Sequence, residues 1–194
     1  MINWARGQFI CGVLTRLAMS SRREAVANVC LVDQSRIPGI DQCIKHEEAF
    51  QFGFPLDAQA ILLIEVDGLE AGLDQQRQQI VDLCMKCGGR EVRLAADAAE
   101  RQKLWKCRKQ AFGAIGRLSP SYCTQDGVVP RTQLPAILQK IIATGTKYGI
   151  RIVNVFHAGD GNIHPILLFD ERDPDQVRDV LEASGEILQA CLDL

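Results

Sequence analysis

Two apolar segments of strand length flank a glycine-rich turn near the end of the chain: RIVNVFH at 151–157 and IHPILLF at 163–169. The Asp-Gly dipeptide between them is typical of a two-residue type I′ hairpin, and such a turn fixes the register of both strands. In that register His157 lies directly opposite His164, at the end of an apolar sheet face. We therefore expect two imidazoles held side by side.

The histidine pair is a candidate metal site. Opposed residues have Cβ atoms about 4.5–5.5 Å apart, so both rings can reach one ion through nitrogens at about 2.0–2.1 Å. Two histidines do not complete a centre, and the sequence does not identify a third ligand among its 24 acidic residues. The alternative is a polar hairpin tip with both rings in solvent, and the spacing alone favours neither interpretation.

The remaining chain from residue 60 onward shows strand and helix periodicities. We predict strands at 60–66, 90–95, 151–157 and 163–169, a short extended piece at 124–130 and a loop at 116–123. We predict a turn and then a helix within 67–89, which Gly88 and Gly89 end, and further helices at 97–115, at 131–147 and from Asp173 to about Cys191. From residue 124 the order is strand, helix, strand, strand, helix, which matches a split βαβ unit of ferredoxin-like type without its last strand. The predicted fold class is α+β, with ferredoxin-like βαβ-type units and an antiparallel sheet covered by helices, truncated at the C-terminus.

The N-terminal part of the chain is different in kind. Its first 45 residues give a weak helical signal and no clear strand. The predicted division is therefore a poorly assigned segment at 1–45 and a substrate-binding domain at 46–194.

Composition excludes several classes of protein. The formal net charge is −2 and no dense run of Lys and Arg occurs, so a nucleic-acid partner is not expected. Eight scattered cysteines do not form the framework of a disulfide scaffold, which favours reduced thiols and a cytoplasmic location. The apolar run at 9–14 is too short for a signal or membrane segment.

Three smaller features have simple interpretations. Cys84 and Cys87 form a CxxC at the C-terminal end of a predicted helix, where the dipole disfavours a thiolate, so core packing is favoured over a redox or zinc role. His46 stands beside two glutamates and is typical of a surface residue. The GDGN turn precedes a strand and not a helix, which argues against a phosphate site.

Several separated motifs resemble one known family. FHAGDGNIHP, together with FPLDAQAILLIEVDG, EVRLAADAAERQKLWKCRKQAFGAIGRLSP and DGVVPRTQLP, is similar to the C-terminal domain of FAD-linked oxidases of the vanillyl-alcohol oxidase type. The resemblance begins near Phe52, covers about three quarters of the chain, and is strongest to the glycolate oxidase and D-2-hydroxyacid dehydrogenase members.

The resemblance implies a site and a cofactor. In related dehydrogenases the two histidines of this motif bind a divalent metal, usually zinc, that holds the substrate's hydroxyl and carboxylate, which here implies His157 and His164. The arginine of the family's WxxR segment, here Arg108, looks like the clamp for the substrate carboxylate. From composition alone Arg108 is a surface helix residue among lysines. FAD belongs to a separate domain of the family, and the family's Glu-His-Gly segment does not occur in this sequence.

The resulting hypothesis is a fragment of a flavin-dependent oxidoreductase for glycolate or D-lactate that is inactive alone. The alternative is a standalone metal- or small-acid-binding module, or a folded relic without function. Expected partners are a small 2-hydroxy acid, other oxidase subunits, and a second copy of the chain through an exposed sheet edge.

Overall fold

The computed structural model describes residues 4–14, 26–33, 60–87 and 89–194. The strands are β1 Trp4–Leu14, β2 Val26–Asp33, β3 Ala60–Leu69, β4 Gly89–Leu94, β5 Ser121–Thr124, β6 Gly127–Val128, β7 Arg151–Phe156, β8 Asn162–Ile163 and β9 Pro165–Phe169. The helices are α1 Glu70–Lys86, α2 Ala98–Ile115, α3 Leu134–Tyr148 and α4 Pro174–Leu192, with a 3₁₀ turn at Arg131–Gln133 before α3.

Seven of these strands form one sheet in the order β4-β1-β3-β2-β7-β9-β5, and β6 pairs with β8 beside it. Every strand pairing among the described residues is antiparallel. The sheet contains two split βαβ units. In the N-terminal unit, β3 and β4 are joined by α1 and lie on either side of β1. In the C-terminal unit, β5 and β7 are joined through α3 and lie on either side of β9, which is followed by α4.

The two faces of the C-terminal unit carry different cores, because side chains alternate along each strand. One face packs against α2, where Leu104 and Ile115 are buried. Its strand residues are Val153, Val155, Ile166 and Leu168. We call this surface the histidine face, because His157 and His164 continue it by alternation.

The opposite face packs against α3 and α4. Its strand residues are Ile152, Phe156, Ile163 and Leu167, and its helix residues are Leu134, Ile137, Leu138, Ile141, Val180, Ala183 and Ile187. Phe156, Ile137 and Ile163 are completely buried. The hairpin that carries the histidines is therefore built into the core through its alternate residues.

Local signals set the ends of the helices in this unit. The Asp173 carboxylate accepts hydrogen bonds from the backbone N–H of Asp175 and Gln176, and Pro174 occupies the first turn, so α4 begins as predicted. Gly149, at φ 65°, ends α3 in the left-handed conformation that glycine adopts readily. Local signals therefore set where the chain leaves α3 to enter β7 and where it begins α4 after β9.

The predicted α+β class with antiparallel sheet and covering helices is confirmed. Two predictions about single segments are wrong. The segment before residue 46, read as weakly helical, supplies β1 and β2, which pair on both sides within the sheet. The predicted loop at 116–123 contains the start of β5, since pairing with β9 outweighs the local turn formers.

Candidate metal and substrate site

The histidine hairpin has a four-residue loop, and the predicted two-residue turn is wrong. His157 pairs with Asn162, while Val153 pairs with Ile166 and Asn154 with Pro165. The register is thus shifted by two residues, and His157 does not lie directly opposite His164. The backbone N–H of Gly161 donates to the His157 carbonyl at 3.1 Å, which closes a loop two residues longer than the Asp-Gly dipeptide predicts.

A shift of two residues leaves both histidines on the same face, because the side-chain period of a strand is two. His164 lies opposite Val155, whose N–H donates to the His164 carbonyl at 3.3 Å. The two imidazoles are diagonal neighbours, with ring centroids 5.6 Å apart and planes at 88°. The prediction that the two rings lie together is therefore confirmed, although the register behind it is not.

The segment from Gln125 to Arg131 holds the hairpin on its other side. The backbone N–H of Gln125 donates to the Pro165 carbonyl of the hairpin at 2.9 Å. The backbone N–H of Val129 donates to the Gly161 carbonyl at 3.1 Å. A Cβ on Gly161, at φ 82°, would lie 2.0 Å from the Val129 oxygen. Only glycine permits this close approach, so the loop and the segment fit as one unit.

Asp126 lies next to the histidines because it belongs to the segment from Gln125 to Arg131. Thr124 pairs with Ile166 and Gly127 with Ile163, so Asp126 falls opposite His164 in a continuous register. Asp126 Oδ1 lies 3.6 Å from His164 Nδ1, and the His164 side chain is only 18% exposed. A carboxylate beside a ring nitrogen favours the tautomer that leaves the other nitrogen as a metal ligand. Sequence reasoning missed Asp126, because only the pairing of β5 and β9 places it here.

Asn162 is the second residue that sequence reasoning missed. It lies on the histidine face, paired with His157 on one side and with Val128 on the other. Its side-chain oxygen Oδ1 is buried and has no hydrogen-bond partner among the described residues. An orphaned buried acceptor costs free energy.

The donors present fit part of a metal site. Two imidazoles in close contact can supply two nitrogen ligands to a zinc-like ion. Within the described ranges, no group of three or more His, Cys, Asp or Glu side chains is placed to hold an ion. Further ligands would have to come from substrate, from outside the described ranges, or from another chain.

Arg108 belongs to α2, the helix that covers the histidine face. Trp105, three residues earlier, packs against the core of that face. The Arg108 side chain itself falls outside the described part of the structure, and so does His46, which sequence analysis assigned to the surface.

The CxxC pair lies at the C-terminal end of α1, as predicted. Cys84 is buried against Ile64, and burial raises the pKa of its thiol, with a smaller contribution from Cys87. A raised pKa disfavours the thiolate that redox or metal chemistry needs. These observations favour the packing role.

Comparison with known proteins identifies related sequences. Residues 13–194 match the family model described as FAD linked oxidases, C-terminal domain. The chain is 44% identical over 148 residues to glycolate oxidase subunit GlcD of Escherichia coli K12, which covers 76% of this chain and 30% of that protein. It is 33% identical to the GlcD subunit of Bacillus subtilis over 76% of this chain and 32% of that one.

A mitochondrial D-lactate dehydrogenase [cytochrome] of Arabidopsis thaliana is 25% identical over 87% of this chain and 29% of that protein. The chain thus spans about a third of the length of these relatives.

Solved structures show the same fold. 4-ethylphenol oxidase from Gulosibacter chungangensis superposes with a TM-score of 0.55 at 13% identity, over 96% of this chain and 43% of that one. p-Cresol methylhydroxylase superposes with a TM-score of 0.54 at 12% identity, over 95% of this chain and 43% of that one. In the described part of the chain, no helix is long and apolar enough to cross a membrane. The family match over most of the chain and the relatives above 30% identity agree, so this chain belongs to the family of FAD-linked oxidases, C-terminal domain.

Proposed function

We propose that this chain supplies part of the substrate and metal site of a flavin-dependent oxidoreductase acting on a small 2-hydroxy acid such as glycolate or D-lactate. The observation that carries the proposal is the contact of His157 and His164 on one sheet face, in a chain 44% identical to a glycolate oxidase subunit. The names of the relatives support glycolate and D-lactate as candidate substrates.

His157 and His164 would hold a divalent metal such as zinc. A bound metal of this kind acts as a Lewis acid that polarises the substrate's hydroxyl. The protein's own contribution is to orient the rings: the Val129 and Gln125 hydrogen bonds fix the hairpin, and Asp126 lies beside His164. The apolar residues of the histidine face exclude water from one side of the pair.

Arg108 would bind the substrate carboxylate, for which the planar guanidinium offers two parallel donors. The support is its place on α2, because that helix packs over the face that ends in the two histidines. FAD, the hydride acceptor of the family, would be bound mainly by a domain outside this chain. We also propose other oxidase subunits as partners, which the subunit names of the relatives support. A second copy of the chain as a partner and a cytoplasmic location belong to the same proposal.

Zinc binding tests the proposed ligands. Calorimetric titration of the wild-type chain should show one zinc per chain, of modest affinity because the third ligand is not supplied by the described residues. His157→Ala and His164→Ala should each abolish this uptake, while His46→Ala, which removes the third histidine of the chain, should leave it unchanged. A wild-type chain that takes up no zinc would instead favour the alternative of a folded relic.

Turnover tests the second part of the proposal. With added FAD and an artificial electron acceptor, the chain should not oxidise glycolate or D-lactate. Measurable oxidation by the isolated chain would contradict the view that flavin and further catalytic groups come from elsewhere.

A further inference from the structure

The outer edge of β5 and one side of α4 together form an uncharged surface at the end of the sheet. We infer that a second copy of this chain binds there, with the two β5 strands paired antiparallel about a twofold axis at Cys123. The inference rests on the part of the proposed function that names a second copy as a partner, and it assigns the interface. The histidine hairpin has no role in this contact.

The backbone of β5 can accept another strand. β5 is the last strand of the sheet, and among the described residues it pairs with β9 alone. The Gln125 N–H donates to the Pro165 carbonyl, and the direction of the backbone groups alternates along a strand. The N–H and C=O of Cys123 therefore point to β9, while those of Tyr122 and Thr124 point away from the sheet. Outward backbone groups of this kind are a template for pairing with another chain.

The two ends of the sheet differ in charge. β4, at the opposite end, carries Glu91 and Arg93, whose side chains form an ion pair at 2.5 Å. Charged side chains on an edge strand oppose its pairing with another chain. β5 has the sequence SYCT and no charged residue, so it lacks this protection.

The side of α4 that faces away from α3 is apolar. Glu186 marks the side toward α3, because its carboxylate accepts a hydrogen bond from the Tyr148 hydroxyl at 2.7 Å. Ser184 marks the side toward the end of β5, since its hydroxyl accepts from the Gln125 side-chain amide at 2.9 Å. By helical spacing, three exposed leucines lie beyond Ser184 and away from Glu186. These residues, the leucine flank, are Leu181, Leu188 and Leu192, which are 66%, 38% and 81% exposed.

The charges of α4 leave the leucine flank free for a symmetric contact. Its acidic side chains lie at helical positions on the other sides of the helix. They are Asp175, Asp179, Glu182 and Glu186. An uncharged apolar surface is complementary to itself, and a twofold interface needs this property because the same surface is used on both copies.

Backbone direction and charge also select the register of the two β5 strands. An axis at Cys123 pairs Tyr122 with Thr124 of the partner subunit, so outward-pointing groups meet, and an aromatic residue lies opposite a β-branched one. An axis at Thr124 would bring Asp126 into the ladder. An axis at Tyr122 would bring in Pro120, which has no N–H to donate. The axis at Cys123 is therefore favoured.

This pairing brings the two leucine flanks together. α4 packs over β9, and the two β9 strands of the dimer would be three strand spacings apart, about 14 Å. Packed helices have axes about 8–10 Å apart, so leucine side chains from both copies can fill the remaining gap. Four strand residues and one side of a helix are fewer than the roughly 20–30 residues of a standard interface, so we expect a dissociation constant of about 1–100 μM.

Sedimentation equilibrium of the full, reduced chain in EDTA tests the dimer. EDTA removes metal, so a dimer bridged by metal is not counted. Thr124→Pro removes an outward N–H without touching the hydrogen bonds to β9, and Leu188→Glu places like charges across the axis. We expect each change to raise the dissociation constant at least tenfold. Leu83→Glu on α1 is the matched control, because Leu83 is 39% exposed, and it should leave the constant unchanged.

Cross-linking tests the register. The two Cys123 residues would form a pair without hydrogen bonds between them, with Cα atoms about 4.5 Å apart, which lies within the range of a disulfide. Diamide, which accepts the two thiol hydrogens as the S–S bond forms, should therefore produce a covalent dimer of the wild type on a non-reducing gel. Cys123→Ser should abolish this dimer, and Cys191→Ser should retain it.

The outcomes separate this interface from the proposed metal site. A chain that stays monomeric up to about 1 mM would overturn the inference and leave the zinc experiment unaffected. A dimer that Leu188→Glu does not weaken, or one that EDTA dissociates, would overturn it as well. If circular dichroism shows that Thr124→Pro is unfolded, Leu188→Glu and the Cys123 cross-link decide. Dimerisation of a chain that takes up no zinc would support this interface and contradict the metal part of the proposed function.

Discussion

The N-terminal and C-terminal units each place a third strand between two strands joined by a helix, but they differ in chain order and in how their helices are held: β1 precedes its two neighbours in the chain, whereas β9 follows its two neighbours. In the N-terminal unit, α1 carries the polar run Asp74–Gln79 and the described cluster beneath it contains buried Ile64 and Cys84. In the C-terminal unit, two amphipathic helices cover one face with a continuous buried cluster. Among the described residues, α3 and α4 bury a longer series of apolar side chains than α1 does, and the candidate site lies in the unit with those two helices. A similar arrangement of strands therefore does not imply similar burial of the helices.

The largest expected difference between the units comes from two glycine substitutions. Gly161→Ala places a Cβ 2.0 Å from the Val129 oxygen at φ 82°. We therefore expect the free energy of unfolding to fall by about 2–6 kcal/mol and the chain to lose its zinc uptake. Gly72→Ala in α1 meets nothing within 4 Å and should stabilise the chain by about 0.5 kcal/mol.

Urea unfolding of both variants measures the two free energies. The comparison fails if Gly161→Ala is as stable as the wild type, because the hairpin and the segment before α3 would then not be in close contact.

Core truncation is the second test. Ile137 in α3 is completely buried, and Ile137→Ala should cost about 2–5 kcal/mol. Ile80 in α1 is only partly buried, so Ile80→Ala should cost about 1 kcal/mol because less apolar surface leaves water on folding. Hydrogen exchange of the backbone amides would localise each effect. Equal costs for the two truncations would contradict the difference in packing between the units.

The smallest expected effect is a pH dependence in the C-terminal unit. Hydrogen bonds from Arg172, from its side chain first and its backbone second, lower the pKa of Asp170 to about 2. Because the folded pKa lies below that of the unfolded chain, the contribution is present above pH 4 and is lost as the pH falls toward 2. The effect is small, since both side chains are at the surface.

Thermal unfolding of the wild type and of Asp170→Asn between pH 5 and pH 2 measures this contribution. The difference in melting temperature between the two proteins should shrink as the pH falls. Arg172→Gln should reproduce the behaviour of Asp170→Asn, since it removes the other partner. A constant difference across this range would show that the ion pair does not contribute.

The sequence alone determined the elements whose signals are local. The Asp173 and Pro174 start of α4 and the Gly149 end of α3 are set by backbone chemistry within one turn, and both lie where the sequence predicts. The shared face of His157 and His164 follows from the period of two along a strand, which survives a register error of two residues.

The tertiary structure decided what depends on contacts between distant segments. The register of the hairpin follows from the fit of Gly161 against Val129, about thirty positions away in the chain, and not from the Asp-Gly dipeptide. β1 and β2 are strands because they pair on both sides, which a weak local signal cannot predict. Asp126 and Asn162 join the histidines only because β5, β6 and β8 are aligned. Local chemistry thus fixes ends and faces, while register and the composition of the site follow from long-range pairing.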